Sequence, residues 1–212
     1  IETYPDPFDY NNSNGFVYKV NLEEQFAGSK FDPSDKNNDK LIDIENIDYT
    51  GPYNAELTGD TNDNVIIGGS GDDVIDGGAG NDTLSTGSGD DQVSGGLGDD
   101  ILILSGSGTS TLDGGDGIDT FKVDMTDVEY DEGFVFLADL NTNFVGSKND
   151  PTNPLNDTIL NIENIDYSGS IEAELLGNEN DNVISSGSGD DILRGGAGND
   201  TLMAGAGDDQ VF

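Results

Sequence analysis

Eleven positions, nine residues apart within two runs except for one step of ten, carry the chemistry of this chain. They are Asn64, Asp73, Asp82, Asp91, Asp100, Ser110 and Asp119, then Asn182, Asp191, Asp200 and Asp209. Each is the sixth residue of a unit such as "GGSGDDVID" or "GGAGNDTLS". A carboxylate repeated at fixed spacing repels its neighbours unless a cation lies between them. The glycine-rich stretch before each Asp supplies bare carbonyl oxygens to the same place. Six or more oxygens with no nitrogen or sulfur form a calcium environment.

The elements that would position these groups follow from the rest of the unit. Three glycines in nine residues rule out a helix, at about 1 kcal/mol each relative to Ala. The first six residues read as a turn, in which glycine permits φ > 0 and close backbone approach. The last three, such as "VID" or "TLS", read as a minimal strand with one inward side chain. That inward residue, the eighth, is Ile66, Ile75, Leu84, Val93, Leu102, Leu112, Phe121, Ile184, Leu193, Leu202 or Val211, apolar every time. Each unit is half a rung, and rungs stacked about 4.8 Å apart give two parallel sheets over a thin apolar row. Turns on one edge then come from alternate units, so each sixth residue faces the one two units on.

Units begin at Gly59, Gly68, Gly77, Thr86 and Gly95; one extra residue, Leu104, shifts the frame, and Ser105 and Gly114 follow. A second run begins at Gly177, Ser186, Gly195 and Ala204. The whole pattern repeats at an offset of 118: "IENIDYTG" at 44–51 returns as "IENIDYSG" at 162–169, and "GFVYKVNL" at 15–22 as "GFVFLADL" at 133–140. The expected organisation is an irregular β segment over 1–56, a repeat block over 57–122, a second irregular segment over 123–174 and a second block over 175–212. Ile1 is no initiator and no signal peptide opens the chain, so the sequence reads as an excerpt of something longer.

Composition sets the limits. Asp and Glu number 44 against 7 Lys and Arg, a formal charge of −37 over 212 residues. Such a chain is a poor partner for nucleic acid or an anionic membrane, and it offers no apolar run long enough to span a bilayer. Self-repulsion opposes compaction, so folding needs something to neutralise the carboxylates. There is no His and no Cys, which excludes triads, disulfides and the usual zinc sites. Acidic pairs alone are weak grounds for a glycosidase in so acidic a chain, and no catalysis is expected.

"GGSGDDVID", "GGAGNDTLS", "GGLGDDILI" and "GGDGIDTFK" resemble the calcium-binding nonapeptides of the repeats-in-toxin (RTX, haemolysin-type) family. The resemblance implies an all-β, right-handed parallel β-roll with several Ca2+ ions held between turns. It also implies type I secretion, an extracellular or cell-surface location, and folding on meeting external calcium. Carried over by position, the paired ligands are Asp73 with Asp91, Asp82 with Asp100, Asp100 with Asp119, and Asp191 with Asp209. Asn64 and Asn182 stand where Asp is usual, which weakens the sites shared with Asp82 and Asp200. Ser110 puts its site with Asp91 in doubt. Carbonyls of the second and fourth residues complete the set: Gly69, Gly71, Gly78, Gly80, Gly87, Gly89, Gly96, Gly98, Gly115 and Gly117, then Gly187, Gly189, Gly196, Gly198, Gly205 and Gly207. Thr86, Ser186 and Ala204 replace a first glycine whose carbonyl survives.

Three other features have plainer readings. The fifth-position acids Asp72, Asp90, Asp99, Asp190 and Asp208 are expected to be solvated surface. Residues 32–46 place Asp35, Asn37, Asp39 and Asp43 as an EF-hand loop would, but Lys40 and Asn46 break that pattern. The second copy has Asn153, Leu155 and Asp157 there, so a polar hairpin is expected. Tyr18, Tyr49, Tyr167 and Phe136 are expected to pack in the core rather than to form a platform for a glycan. The function expected is a calcium-rigidified structural, spacer or secretion-coupled module; the alternative is an accessory or glycan-binding module of a secreted RTX enzyme or toxin. Partners for surface or self-association are not identified by the sequence.

Overall fold

The computed structural model describes residues 17–29, 39–41, 44–126, 133–150 and 156–212, and all its regular elements are strands. The first segment forms β1 (Tyr18–Asn21), β2 (Phe26–Ser29), β3 (Asp39–Lys40), β4 (Asn46–Asp48) and β5 (Ala55–Thr58). The nonapeptides that follow form β6 (Val65–Ile67), β7 (Val74–Ala79), β8 (Thr83–Ser85), β9 (Gln92–Leu97), β10 (Ile101–Leu104), β11 (Thr111–Asp116) and β12 (Thr120–Met125). The second copy of the segment gives β13 (Phe136–Asp139), β14 (Phe144–Ser147), β15 (Asp157–Leu160), β16 (Asn164–Gly169) and β17 (Ala173–Leu176). Its nonapeptides give β18 (Val183–Ser185), β19 (Ile192–Arg194), β20 (Thr201–Met203) and β21 (Gln210–Val211).

Alternate strands enter opposite sheets. The eight-stranded sheet runs β4-β6-β8-β10-β12-β16-β18-β20 and is parallel throughout. The thirteen-stranded sheet runs β3-β2-β1-β5-β7-β9-β11-β15-β14-β13-β17-β19-β21. It is parallel except where β1–β3 and β13–β15 fold back as antiparallel meanders. This is the parallel β-roll. Both sheets pass from the first set of nonapeptides into the second without a break in pairing, through β12–β16 in one and β11–β15 in the other.

Register explains the core. Ile66, Leu84, Leu102 and Phe121 are partners in successive strands of one sheet, as are Leu57, Ile75, Val93, Leu112 and Ile159 in the other. All are buried, and each contributes roughly 1.5–3 kcal/mol relative to exposure. The row thins at its far end, where Val211 is 51% exposed.

Two details depart from the three-residue strands expected. β7, β9 and β11 run on through the first glycines of the next unit, because Gly78 pairs with Gly96 and Gly96 with Gly115. This approach is open only to glycine: Gly96 has φ +106°, and a Cβ there would lie 2.1 Å from Gly78 O. The extra residue Leu104 is absorbed at the end of β10, where it pairs with Val123. From that point the core widens to hold Phe121, Val123, Phe136 and Tyr167, all buried.

Candidate metal centre

The turns form two edges of the roll. On the first edge, 59–64, 77–82, 95–100, 114–119, 177–182 and 195–200 lead from the larger sheet into the smaller. On the second, 68–73, 86–91, 105–110, 186–191 and 204–209 lead back. Within an edge, six sixth-position carboxylates accept the backbone N–H of the sixth residue in the preceding turn. Asp73 and Asp191, in the first turn of each run on the second edge, accept Ala55 N and Ala173 N from the segments before them. Asn64 N donates to Asp82 Oδ1, Asp82 N to Asp100, Asp100 N to Asp119, Asp73 N to Asp91, Asn182 N to Asp200 and Asp191 N to Asp209, at 2.7–3.0 Å. The four pairings carried over from the RTX pattern are thus neighbours in stacked turns.

The second oxygen of these carboxylates is where a ligand is wanting. Oδ2 of Asp82, Asp100, Asp119 and Asp191 is buried and accepts no hydrogen bond. The Ser186 hydroxyl near Asp191 gives its hydrogen to Ala204 O instead. A buried oxygen without a partner costs about 1–3 kcal/mol, and more when it is charged. Carbonyls gather at the same points. A Cβ on Gly77 would lie 2.4 Å from Asp82 Oδ2 and 2.6 Å from Gly95 O, and one on Gly95 would lie 2.2 Å from Asp100 Oδ2 and 2.4 Å from Gly114 O. Among the described residues, no three acidic side chains come together to hold a metal by themselves, so a cation here would need a mixed set of carboxylate and carbonyl oxygens. That donor set fits calcium.

Electrostatics agree with the geometry. Burial pushes the carboxyls of Asp91 and Asp100 up to about 6, and raises those of Asp73, Asp82, Asp119 and Asp191 as well. Neighbouring carboxylates add to the rise, and hydrogen bonds from backbone N–H groups oppose it. A divalent cation would reverse this balance.

Other positions have jobs the motif does not reveal. Asn64 and Asn182 each donate Nδ2–H to a carbonyl, Glu45 O at 2.7 Å and Glu163 O at 2.6 Å. A carboxylate could not make that bond, which accounts for Asn at the first unit of each run. The second-position carbonyls of Gly69 and Gly187 already accept N–H groups from Ser88 and Ala206, each with a lone pair to spare. The fifth-position acids are exposed, as expected, but they also form a ladder. Asp72 Oδ1 accepts Asp90 N, Asp90 accepts Thr109 N, Asp99 accepts Ile118 N and Asp190 accepts Asp208 N, at 2.8–3.0 Å. This ladder points opposite to the sixth-position one.

Two acids outside any nonapeptide extend the sixth-position ladders. Ser110 N donates to Asp157 Oδ1 (2.7 Å), and Asp119 N donates to Glu163 Oε2 (2.8 Å). Asp157, a hairpin residue by sequence, is half-buried, and that burial pushes its carboxyl up to about 6. Of the EF-hand-like stretch, Asp35, Asn37 and Asp43 lie outside the described residues. Phe136 and Tyr167 stack at 5.1 Å inside the core, and Tyr18 and Tyr49 at 5.8 Å, half-buried. They form packing pairs.

A parallel β-roll with oxygen donors gathered at its turns defines a cation-binding solenoid. The match to known families makes it particular: the RTX calcium-binding nonapeptide repeat, a four-copy model, matches residues 49–84, 67–102 and 176–211. The chain carries RTX repeats, and RTX nonapeptide repeats bind calcium as a structural module. No curated protein matches the chain. In the first run the matches stop at residue 102, just before Leu104, although the roll continues through β11 and β12.

Proposed function

We propose that this chain is a calcium-gated structural element of a secreted or cell-surface protein. Asp73, Asp82, Asp91, Asp100, Asp119, Asp191, Asp200 and Asp209 supply the charge, and carbonyls of the turn glycines complete each site. Asn64 and Asn182 serve mainly to tie the first turn of each block to the segment before it. The four-part division at residues 57, 123 and 175 describes two such blocks, each entered through an irregular segment. The observation that carries the reading is the run of partnerless buried oxygens at Asp82, Asp100 and Asp119. Without cations these three turns hold like charges in a dry place; with them the same oxygens become ligands.

The magnitudes suit a switch. Extracellular calcium modules bind at about 10⁻⁴–10⁻³ M, and at ten times Kd each site adds about 1.4 kcal/mol. Four such sites give about 6 kcal/mol, on the scale of a whole domain's stability. RTX relatives suggest the use made of this: the chain stays extended where free calcium is scarce, passes through a type I exporter, and stiffens outside the cell. Among the described residues no helix is long and apolar enough to cross a membrane. The test is far-UV circular dichroism on chelator-treated protein during titration with calcium and, separately, magnesium. A cooperative rise in β signal with calcium near millimolar, and none with magnesium, is expected. A chain fully folded in chelator would overturn the proposal.

A further inference from the structure

The sixth-position ladder on the first edge does not stop at the last nonapeptide of its run. In the repeats, each step combines two contributions from the following turn. Its sixth residue takes the preceding N–H into a carboxylate, and its first residue brings a carbonyl to the preceding Oδ2. Both contributions recur beyond Asp119, from a segment with no nonapeptide motif. Glu163 Oε2 accepts Asp119 N at 2.8 Å, in the place of the next sixth-position Asp. Asn161 brings the carbonyl: a Cβ on Gly114 would lie 2.2 Å from Asn161 O and 2.5 Å from Asp119 Oδ2. The corresponding neighbours of Gly77 and Gly95 are the carbonyls of Gly95 and Gly114.

The short turn does this with three residues where a nonapeptide uses six. The longer Glu side chain spans the distance, and Asn161 adopts φ +50°, a left-handed conformation Asn tolerates better than most residues. Glu163 N and Asn164 N both donate to Asp119 O, which fixes the segment against the turn below. Asp119 itself is fully buried, and its Oδ2 has no hydrogen-bond partner.

We infer that Asp119, Asn161 and Glu163 form a further divalent-cation site at the seam between the two nonapeptide runs, with Asp119 Oδ2, Asn161 O and the Glu163 carboxylate as its protein ligands. This rests on the reading of the nonapeptide turns as calcium sites, and extends it to residues that the motif omits. The seam ion ties the first run to the second, because its ligands come from both sides of residues 123–156. Loss of this ion leaves both runs loaded and joined by β12–β16 and β11–β15 pairing, but removes one tie on the first edge.

The first test uses the unaltered chain crystallised with terbium in place of calcium. Anomalous peaks are expected in the Asp82–Asp100 and Asp100–Asp119 turns and a further one beside Glu163. Peaks in the turns with none at the seam would overturn this inference alone, whereas no peaks at any turn would overturn the calcium-site reading beneath it. The second test is Glu163→Gln, which keeps an oxygen to accept the Asp119 N–H. Calcium counted by atomic emission after gel filtration should fall by one ion per chain, with the β signal retained; an unchanged count in the folded variant would overturn the seam site.

Discussion

Two stretches of nearly the same sequence, 44–51 and 162–169, behave differently in this molecule. "IENIDYTG" gives β4, three residues long, with β6 as its one partner among the described residues. "IENIDYSG" gives β16, six residues long, between β12 and β18. Tyr167 is 1% exposed and Phe136 stacks on it, while their counterparts Tyr49 and Tyr18 stay half-buried. The chemistry of the two stretches is the same; the second has a rung on each side. Strand length here is a property of neighbours as much as of residues. The irregular segment between blocks contributes, in its second copy, an antiparallel meander to one sheet and a full parallel rung, β16, to the other.

The largest effect expected from perturbing this comparison comes from pH, because the doubly covered junction half-buries Asp157 beside the buried turn carboxylates. Burial holds Asp91, Asp100 and Asp157 near 6 in the metal-free fold, above the unfolded value of about 4. Folding without metal therefore takes up protons. The stability these groups give is complete below pH about 4 and is lost as the pH rises through about 6. Calcium requires the charged carboxylates, so its affinity should fall across the same window on acidification. Circular dichroism in chelator should show β signal growing from pH 7 toward 4, while the calcium midpoint at pH 5 lies above that at pH 7. Loss of metal-free β signal on acidification would break the argument.

A smaller and more local effect separates the two tyrosines. Tyr167→Ala should cost roughly 3–5 kcal/mol, as expected for a large side chain removed from a core. Tyr49→Ala should cost about 1 kcal/mol, since much of that ring remains in solvent. Urea midpoints in saturating calcium measure both, and equal costs would mean that Tyr49 is covered in solution.

The smallest difference is expected where the two copies make the same bond. Asn64→Asp and Asn182→Asp each remove an amide donor to a Glu carbonyl and should each lose about 1–3 kcal/mol in calcium-saturated urea titrations. The two values should agree closely. A gain in either would mean that an added carboxylate helps a cation more than the lost hydrogen bond costs.

Much of this was legible in the sequence because the repeat imposes one geometry on many residues. The eighth-position row, the facing of sixth-position acids eighteen residues apart and the 118-residue offset all follow from counting. Glu163 and Asp157 were not legible, since neither sits in a nonapeptide and each acquires its partner only when the second segment stacks on the first block. The one available signal was negative: the Asp119 N–H needed an acceptor after the last unit of its run. The fifth-position ladder was hidden for another reason. An Asp that accepts a neighbour's N–H from the surface has the same sequence signature as one that merely faces water.

The opposed directions of the two side-chain ladders have a consequence for length. A turn with Asp or Asn at its fifth position leaves on its edge one amide hydrogen at the sixth position and one side-chain acceptor at the fifth; Ile118 makes the 114–119 turn an exception. An insertion or deletion of eighteen residues, a whole rung, meets the same pair of groups and leaves every later bond in register. A change of nine moves each following unit to the opposite sheet and the opposite edge. The molecule can grow or shrink, but its natural quantum of length is the rung and not the repeat.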